Sequence, residues 1–276
     1  MTKQSYEVIH TIEDGIERII YRPHEKRYDT PIVMQHGMWH GAWSWETWQI
    51  ALAKLGWESH AHSLPGHGKS PEQRSIRWCT LGYYLDFLRA EIERHPVLPI
   101  LMGHSMGGAL AQWYMKKVAD HLPAIVLVAS WNSHEMQSAS LASAARDPIG
   151  LLYGLADLTA SSYVLRNPQV AKQMLISDNA IMTAEELHEQ LNGESLWVLL
   201  QYNPLQWQPL RHPKTPLLWI LPEKDGAVSP YTQRRSIKFY DADVISVEGA
   251  GHNVMMEKNH EEIARQIHDW LVSKTT

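Results

Sequence analysis

A single cysteine, Cys79, occurs in 276 residues, so no intrachain disulfide can form and no cysteine-rich metal cluster can be assembled. The chain also lacks any stretch of about 18 consecutive apolar residues, which excludes an ordinary membrane-spanning helix. Its start, MTKQSYEVIH, has no basic residue cluster, apolar run or small-residue cleavage site of the kind that marks a secretory signal. A cytoplasmic protein is the expectation. Long runs of one charge sign are missing as well: 25 Lys and Arg stand against 30 Asp and Glu, a formal net charge of −5. Nothing advertises a polyanion-binding surface, and nucleic acid is not an expected partner. The 16 histidines invite a metal site, yet they fall singly or in loops such as HAHSLPGHG, and no HExxH helix is present. No metal is expected. Cys79 lies in RWCTLGYY, away from any glycine elbow or helix-start signal, and is expected to be a small buried side chain without chemistry. Internal repeats and low-complexity segments are absent too.

What remains is ordinary for a soluble globular chain: 44% apolar and 20% charged residues, with enough length for one large domain. EVIHTIEDGIERIIYRP predicts two antiparallel strands around an Asp14-Gly15 turn. Short apolar runs then predict strands at Pro31–His36, Trp57–Ser63, Pro99–His104, Ala124–Ser130, Pro216–Leu221 and Val244–Val247. Between most of them lie helical patterns long enough to cross over a parallel sheet: Trp43–Leu55, Thr80–Arg94, Met106–Ala119, Pro230–Phe239 and Glu257–Val272. One interval breaks the rhythm. From 131 to 210 there is no strong strand signal, whereas ASLASAARD, VAKQMLISD and TAEELHEQL look helical. The expected organisation is a core formed by 1–130 and 211–276, with 131–210 as a helical cap over the face where open α/β sheets bind ligands.

The strongest chemical signal is Gly103-His104-Ser105-Met106-Gly107, a G-x-S-x-G sequence between a predicted strand and a predicted helix. Such a turn holds a serine in a strained conformation with its hydroxyl exposed. The following helix adds partial positive charge beside that oxygen. A serine needs a base, and the chain order of this motif places the base after a late strand. His252, in Glu248-Gly249-Ala250-Gly251-His252-Asn253, is the candidate. The acid that orients it is expected after the strand at 216–221, where Asp225 is the candidate and Glu223 the competitor. The N–H groups of Met38 and Met106 are the expected oxyanion donors.

With HGMWHGAW, GHSMGG, EKDGAVSP and GAGH in this order, the chain resembles the α/β-hydrolase superfamily along nearly its whole length. The resemblance implies an α/β-hydrolase fold with a mostly parallel central sheet, flanking helices and a helical cap insertion. His36–Trp45 is similar to the plant methylesterase and hydroxynitrile lyase group, and Gly103–Gly108 is equally similar to monoacylglycerol lipases and lysophospholipases. In hydroxynitrile lyases of that group a threonine replaces Gly37 and a lysine follows the catalytic histidine, where this chain has Asn253. Both departures favour a serine ester hydrolase needing no cofactor. Ser105 disfavours the dehalogenases and epoxide hydrolases of the fold, which use an aspartate. A non-catalytic small-molecule-binding protein, or a lyase or haloperoxidase-like enzyme with the same triad, are the alternatives. The expected partner is a small neutral ester, because the 131–210 segment carries 8 acidic and 3 basic residues and opposes anions. Trp39 and Trp131 are the candidate substrate contacts, and Met136, Tyr153 and Trp207 could add to an apolar lining.

Overall fold

Asp14 and Gly15 both take left-handed backbone, with φ of 54° and 69°, as a two-residue hairpin turn requires. They join β1 (Tyr6–Glu13) to β2 (Ile16–Pro23) as an antiparallel pair. The structure is a computed structural model that describes residues 5–275. Residues 1–4, which belong to the N-terminal stretch compared above with a secretory signal, lie outside the described residues, as does Thr276. Beyond the hairpin come β3 (Ile32–Gln35), β4 (Ser59–His62), β5 (Ile100–His104), β6 (Ile125–Val128), β7 (Leu217–Pro222) and β8 (Asp243–Val247). They form one sheet in the order β1-β2-β4-β3-β5-β6-β7-β8. The pairs from β4 to β8 are parallel, and β2 pairs antiparallel with β4. Each expected strand is present, with ends within about two residues of those anticipated.

Every residue of β3, β5, β6 and β7 is buried, so the sheet is covered on both faces, which is why these strands are continuous apolar runs. The cover comes from the connecting helices α1 (Glu46–Lys54), α2 (Leu81–Glu93) and α3 (Met106–Lys117), and from two helices late in the chain. The helix anticipated from Trp43 begins as a 3-10 turn, Ala42–Trp45, before α1. Cys79 is buried, and burial pushes its thiol up to about 11. One expectation about it needs correction. Cys79 abuts a helix start, because Thr80 caps α2 by accepting from the Tyr83 N–H.

Between β6 and β7 the chain forms six helices among the described residues: α4 (Gln137–Arg146), α5 (Pro148–Asp157), α6 (Ser162–Leu165), α7 (Pro168–Leu175), α8 (Ala184–Gln190) and α9 (Leu196–Gln201). The three helical patterns seen in the sequence correspond to α4, α7 and α8. Helix α5 escaped notice because PIGLLYGLAD is apolar nearly all round, with no stripe to detect. Ile149, Leu152, Tyr153 and Leu155 on it are exposed. Its start was marked: Asp147 accepts from Gly150 N–H, and Pro148 occupies the first turn. The chain returns through α10 (Pro230–Tyr240) and α11 (His260–Thr275). The last helix starts three residues later than anticipated, since Val254–Met256 forms a 3-10 turn and the Glu257 side chain bonds elsewhere. Among the described residues no helix is long and apolar enough to cross a membrane.

Candidate active site

The sheet order fixes where loops meet. From β3 the chain goes to β4 on one side and then crosses to β5 on the other, so the C-terminal ends of β3 and β5 flank a topological switch point. Gln35 pairs with Gly103 in register. The residues that follow, His36-Gly37-Met38 and His104-Ser105-Met106, therefore emerge side by side.

Ser105 stands between β5 and α3 with φ 53° and ψ −116°, a conformation that a residue with a side chain adopts only under constraint. The constraint is visible. The Ser105 N–H donates to Val128 O at 2.9 Å, and the Ser105 carbonyl accepts from Gly108 N–H at 2.9 Å and from Trp131 N–H at 3.3 Å. A Cβ added at Gly103 would sit 2.4 Å from Gly107 O, and one at Gly107 would sit 2.2 Å from Gln35 O. The turn closes this tightly only because both positions are glycine. Gly37 lies equally close on the other strand, where an added Cβ would fall 2.8 Å from Ser105 Cβ.

Two histidines pin the Gly37–Trp39 backbone. His36 Nε2 accepts from Leu64 N–H at 3.0 Å, so its proton resides on Nδ1, which donates to Gly37 O at 2.7 Å. His40 repeats the pattern: Asn253 Nδ2 donates to Nε2 at 3.0 Å, and Nδ1 donates to Met38 O at 2.6 Å. Burial holds both rings neutral, lowering His36 well below the ordinary imidazole range and His40 to about 4. Because a peptide unit is planar and trans, anchoring Gly37 O on one side aims the Met38 N–H toward the other. The Met38 and Met106 side chains are buried in the core. Trp39, which follows the two anchored carbonyls, takes φ 66°.

Asp225 and His252 come from the loops after β7 and β8, which pair as far as Pro222 and Val247. His252 Nδ1 lies 3.0 Å from Asp225 Oδ1 and 2.9 Å from Oδ2, with both side chains almost fully buried. The carboxylate is fixed from behind by the N–H groups of Ala227 and Val228, each 2.8 Å from Oδ1. Gln233 Nε2 donates to Oδ2 at 2.8 Å, while Gln233 Oε1 accepts from Trp219 Nε1 at 3.0 Å. Glu223 bonds Arg234 and Ser246 instead, so of the two competing carboxylates Asp225 is the one on His252. His104 Nε2 donates to His252 O at 3.2 Å, and the two rings are centred 4.8 Å apart. The His252 loop thus lies against the residue preceding Ser105. Ser105 is 6% and His252 1% exposed, so both side chains are largely buried.

The candidate substrate contacts have firm structural partners. Trp39 is buried, and its indole N–H donates to Ala160 O at 3.3 Å. Trp131 is buried edge-on to Tyr202, and Trp207 stacks between Trp113 and Tyr202. Met136 is buried too, whereas Tyr153 is exposed on α5. His36, His40, Gln233 and Glu257, whose carboxylate accepts from the Gly251 N–H beside His252 at 2.8 Å, escaped the sequence reading. The two histidines carried a signal, their place in HGMWHGAW, but Gln233 had none, because only packing brings α10 onto the Asp225 loop.

Comparison with known proteins places the fold among solved structures. A Paleococcus ferrophilus monoacylglycerol lipase shares 20% identity over 97% of this chain and 99% of its own, with a TM-score of 0.66. A thermophilic esterase from Thermogutta terrifontis shares 17% identity over 98% of this chain and 100% of its own, with a TM-score of 0.65. At these identities the likeness is one of fold. A Mycoplasma pneumoniae protein assigned by name to the esterases and lipases is 30% identical over 116 residues, a match spanning 41% of each chain. The model of the alpha/beta hydrolase family matches residues 32–266, and with that match over most of its length the chain belongs to the alpha/beta hydrolase family.

Proposed function

We propose that the protein hydrolyses a carboxylic ester of a small to medium, largely apolar and neutral substrate through an acyl-enzyme on Ser105. The observation that carries this reading is the Asp225–His252 contact. It commits Nδ1 as the proton donor to Asp225 and leaves Nε2 as the free base. Ser105 attacks the ester carbonyl as its proton passes to His252 Nε2, and the N–H groups of Met38 and Met106 hold the oxyanion. His252 returns the proton to the departing alcohol, then activates a water that releases the acid. No metal or cofactor enters these steps.

The names of the relatives support ester chemistry, and the −5 balance of residues 131–210 favours a neutral substrate over an anionic one. That segment acts as a cap, with Trp39 and Trp131 forming the substrate-side wall when it opens. A cytoplasmic location fits the lone cysteine. The test is exposure of folded protein to a fluorophosphonate alongside an aryl ester assay. Labelling at Ser105 with ester turnover is expected. Folded protein that is neither labelled nor active would make the chain a binding protein, and cyanohydrin cleavage without ester turnover would make it a lyase.

A further inference from the structure

Asn132 is 5% exposed, and neither its amide oxygen nor its amide nitrogen has a hydrogen-bond partner. Buried polar groups in native proteins are nearly always paired, and a carboxamide brings two donors and an acceptor oxygen to be satisfied. Other buried polar atoms without partners belong to indole rings, to the Thr215 hydroxyl, or to side chains such as His62, His104, Gln49 and Asn253 whose other end is bonded. Asn132 is the one buried carboxamide among the described residues with both ends unpartnered.

Its place in the fold is as informative as its chemistry. The preceding residue, Trp131, donates its N–H to the carbonyl of Ser105 at 3.3 Å. The Asn132 Cα is one peptide further, about 3.8 Å. The following residue, Ser133, donates its N–H to Ser236 Oγ at 2.8 Å, and its carbonyl accepts from Trp207 Nε1 at 2.8 Å. Ser236 lies about one turn along α10 from Gln233, which holds Asp225. Asn132 is therefore suspended between the backbone of Ser105 and the helix that supports the acid, at the C-terminal edge of the sheet. Ties on both neighbours keep its backbone from turning away.

We propose that Asn132 recognises an uncharged hydrogen-bonding substituent, a hydroxyl or an amide, one or two carbons from the scissile carbonyl. This inference rests on ester hydrolysis at Ser105 and narrows its substrate. The ester is largely apolar but carries one polar group close to the reacting bond. A carboxamide can give and accept a hydrogen bond at once, which suits a hydroxyl or an amide. A carboxylate would use only its donors.

The experiment measures kcat/KM of the full chain on two matched pairs, with fluorophosphonate labelling of Ser105 run in parallel. An aryl butanoate and its 3-hydroxybutanoate place the hydroxyl on the acyl side; ethyl and 2-hydroxyethyl butanoate place it on the alcohol side. The hydroxylated member of one pair is expected to win by about 10- to 100-fold, and the pair that shows it identifies the side. In Asn132→Leu that ratio falls to about one. Labelled protein that cleaves esters with no preference in either pair overturns the role of Asn132 and leaves ester hydrolysis standing. A preference that survives in Asn132→Leu overturns it too, by moving recognition to another residue. Folded protein without labelling or turnover overturns ester hydrolysis, and the Asn132 inference with it. The preference is read first in the unaltered protein, so the outcome does not depend on the variant folding.

Discussion

His252 Nδ1 sits between the two carboxylate oxygens of Asp225, at 3.0 and 2.9 Å, while Glu223, two residues earlier, is turned away onto Arg234 and Ser246. An amide in place of the carboxylate can donate to the ring and so favour the tautomer with its proton on the wrong nitrogen. Asp225→Asn is therefore expected to lower kcat by about 10⁴-fold with KM little changed, whereas Glu223→Gln leaves kcat near the parent value. Steady-state rates on an aryl ester check both. A large kcat loss in the Glu223 variant alone would transfer the acid role to that residue.

His36 supports a different part of the site, since its bonds to Gly37 O and Leu64 N–H hold the peptide that aims the Met38 N–H. In His36→Leu the Leu64 N–H loses its partner inside the core, while Gly37 O keeps only the His40 N–H at 3.4 Å. At about 1–3 kcal/mol for an orphaned buried group, a stability loss of about 1–3 kcal/mol is expected in urea unfolding. The peptide is then held at Gly37 O by the longer His40 bond alone, and kcat should fall by about 10- to 100-fold with KM nearly constant. A folded variant with unchanged kcat would mean that the orientation of this peptide does not matter to turnover.

What the sequence made legible follows from how local each signal is. The elbow at Ser105 is written into five consecutive residues, because strand, close-approach glycines and helix all lie within one short stretch. The central strands β3, β5, β6 and β7 were legible for the same reason: burial on both faces turns each into an apolar run. Asp225 was harder, since Glu223 has the same chemistry, and only the turn made by the Ala227 and Val228 N–H groups selects one carboxylate. Gln233 was invisible, because its partners Asp225, Val228 and Trp219 meet it through packing of α10. Helix α5 failed the periodicity test because its apolar residues do not all face inward.

The buried histidines make stability depend on pH. Burial lowers His40 from 6.5 to about 4, and burial also depresses His36, His62 and His104. The unfolded chain takes up these protons as pH falls below about 6.5, while the folded chain resists, so the unfolded state binds more protons and stability drops with acid. The stabilisation is complete above the unfolded value and is lost downward through the folded one. For His40 alone the loss by pH 5 is about 2 kcal/mol. Urea midpoints are expected to be level from pH 8 to 7 and to decline from 6.5 to 5. A midpoint constant across that range would show that the native protein protonates these rings without penalty.

Glu257 joins the loop carrying His252 to the segment between β6 and β7. Its Oε1 accepts from Gly251 N–H and its Oε2 from Ser177 Oγ, each at 2.8 Å. Around it the Asn253 N–H donates to Leu175 O at 2.7 Å, the Ile181 N–H to Met256 O at 2.8 Å, and the Lys258 N–H to Asn179 O at 3.0 Å. A Cβ at Gly251 would lie 2.7 Å from Ser177 N, so the two stretches touch along their backbones. This end of α7 is tied to the loop that carries His252, so the opening that the proposed cap role requires is expected on the other side of the segment, where α5 carries exposed Ile149, Leu152, Tyr153 and Leu155. Hydrogen exchange should therefore show the amides of Ile181, Gly251 and Asn253 protected like those of the sheet, and those of α5 exchanging faster. In Glu257→Ala the Gly251 N–H is left unpaired, and a loss of about 1–3 kcal/mol is expected, with faster exchange at 251 and 253 and a lower kcat. Ser177→Ala keeps the Gly251 bond, so it should cost only about 0.5–1.5 kcal/mol and leave kcat close to the parent. Equal exchange rates in α5 and at Ile181 would show that the whole segment opens together and that Glu257 does not hold it down.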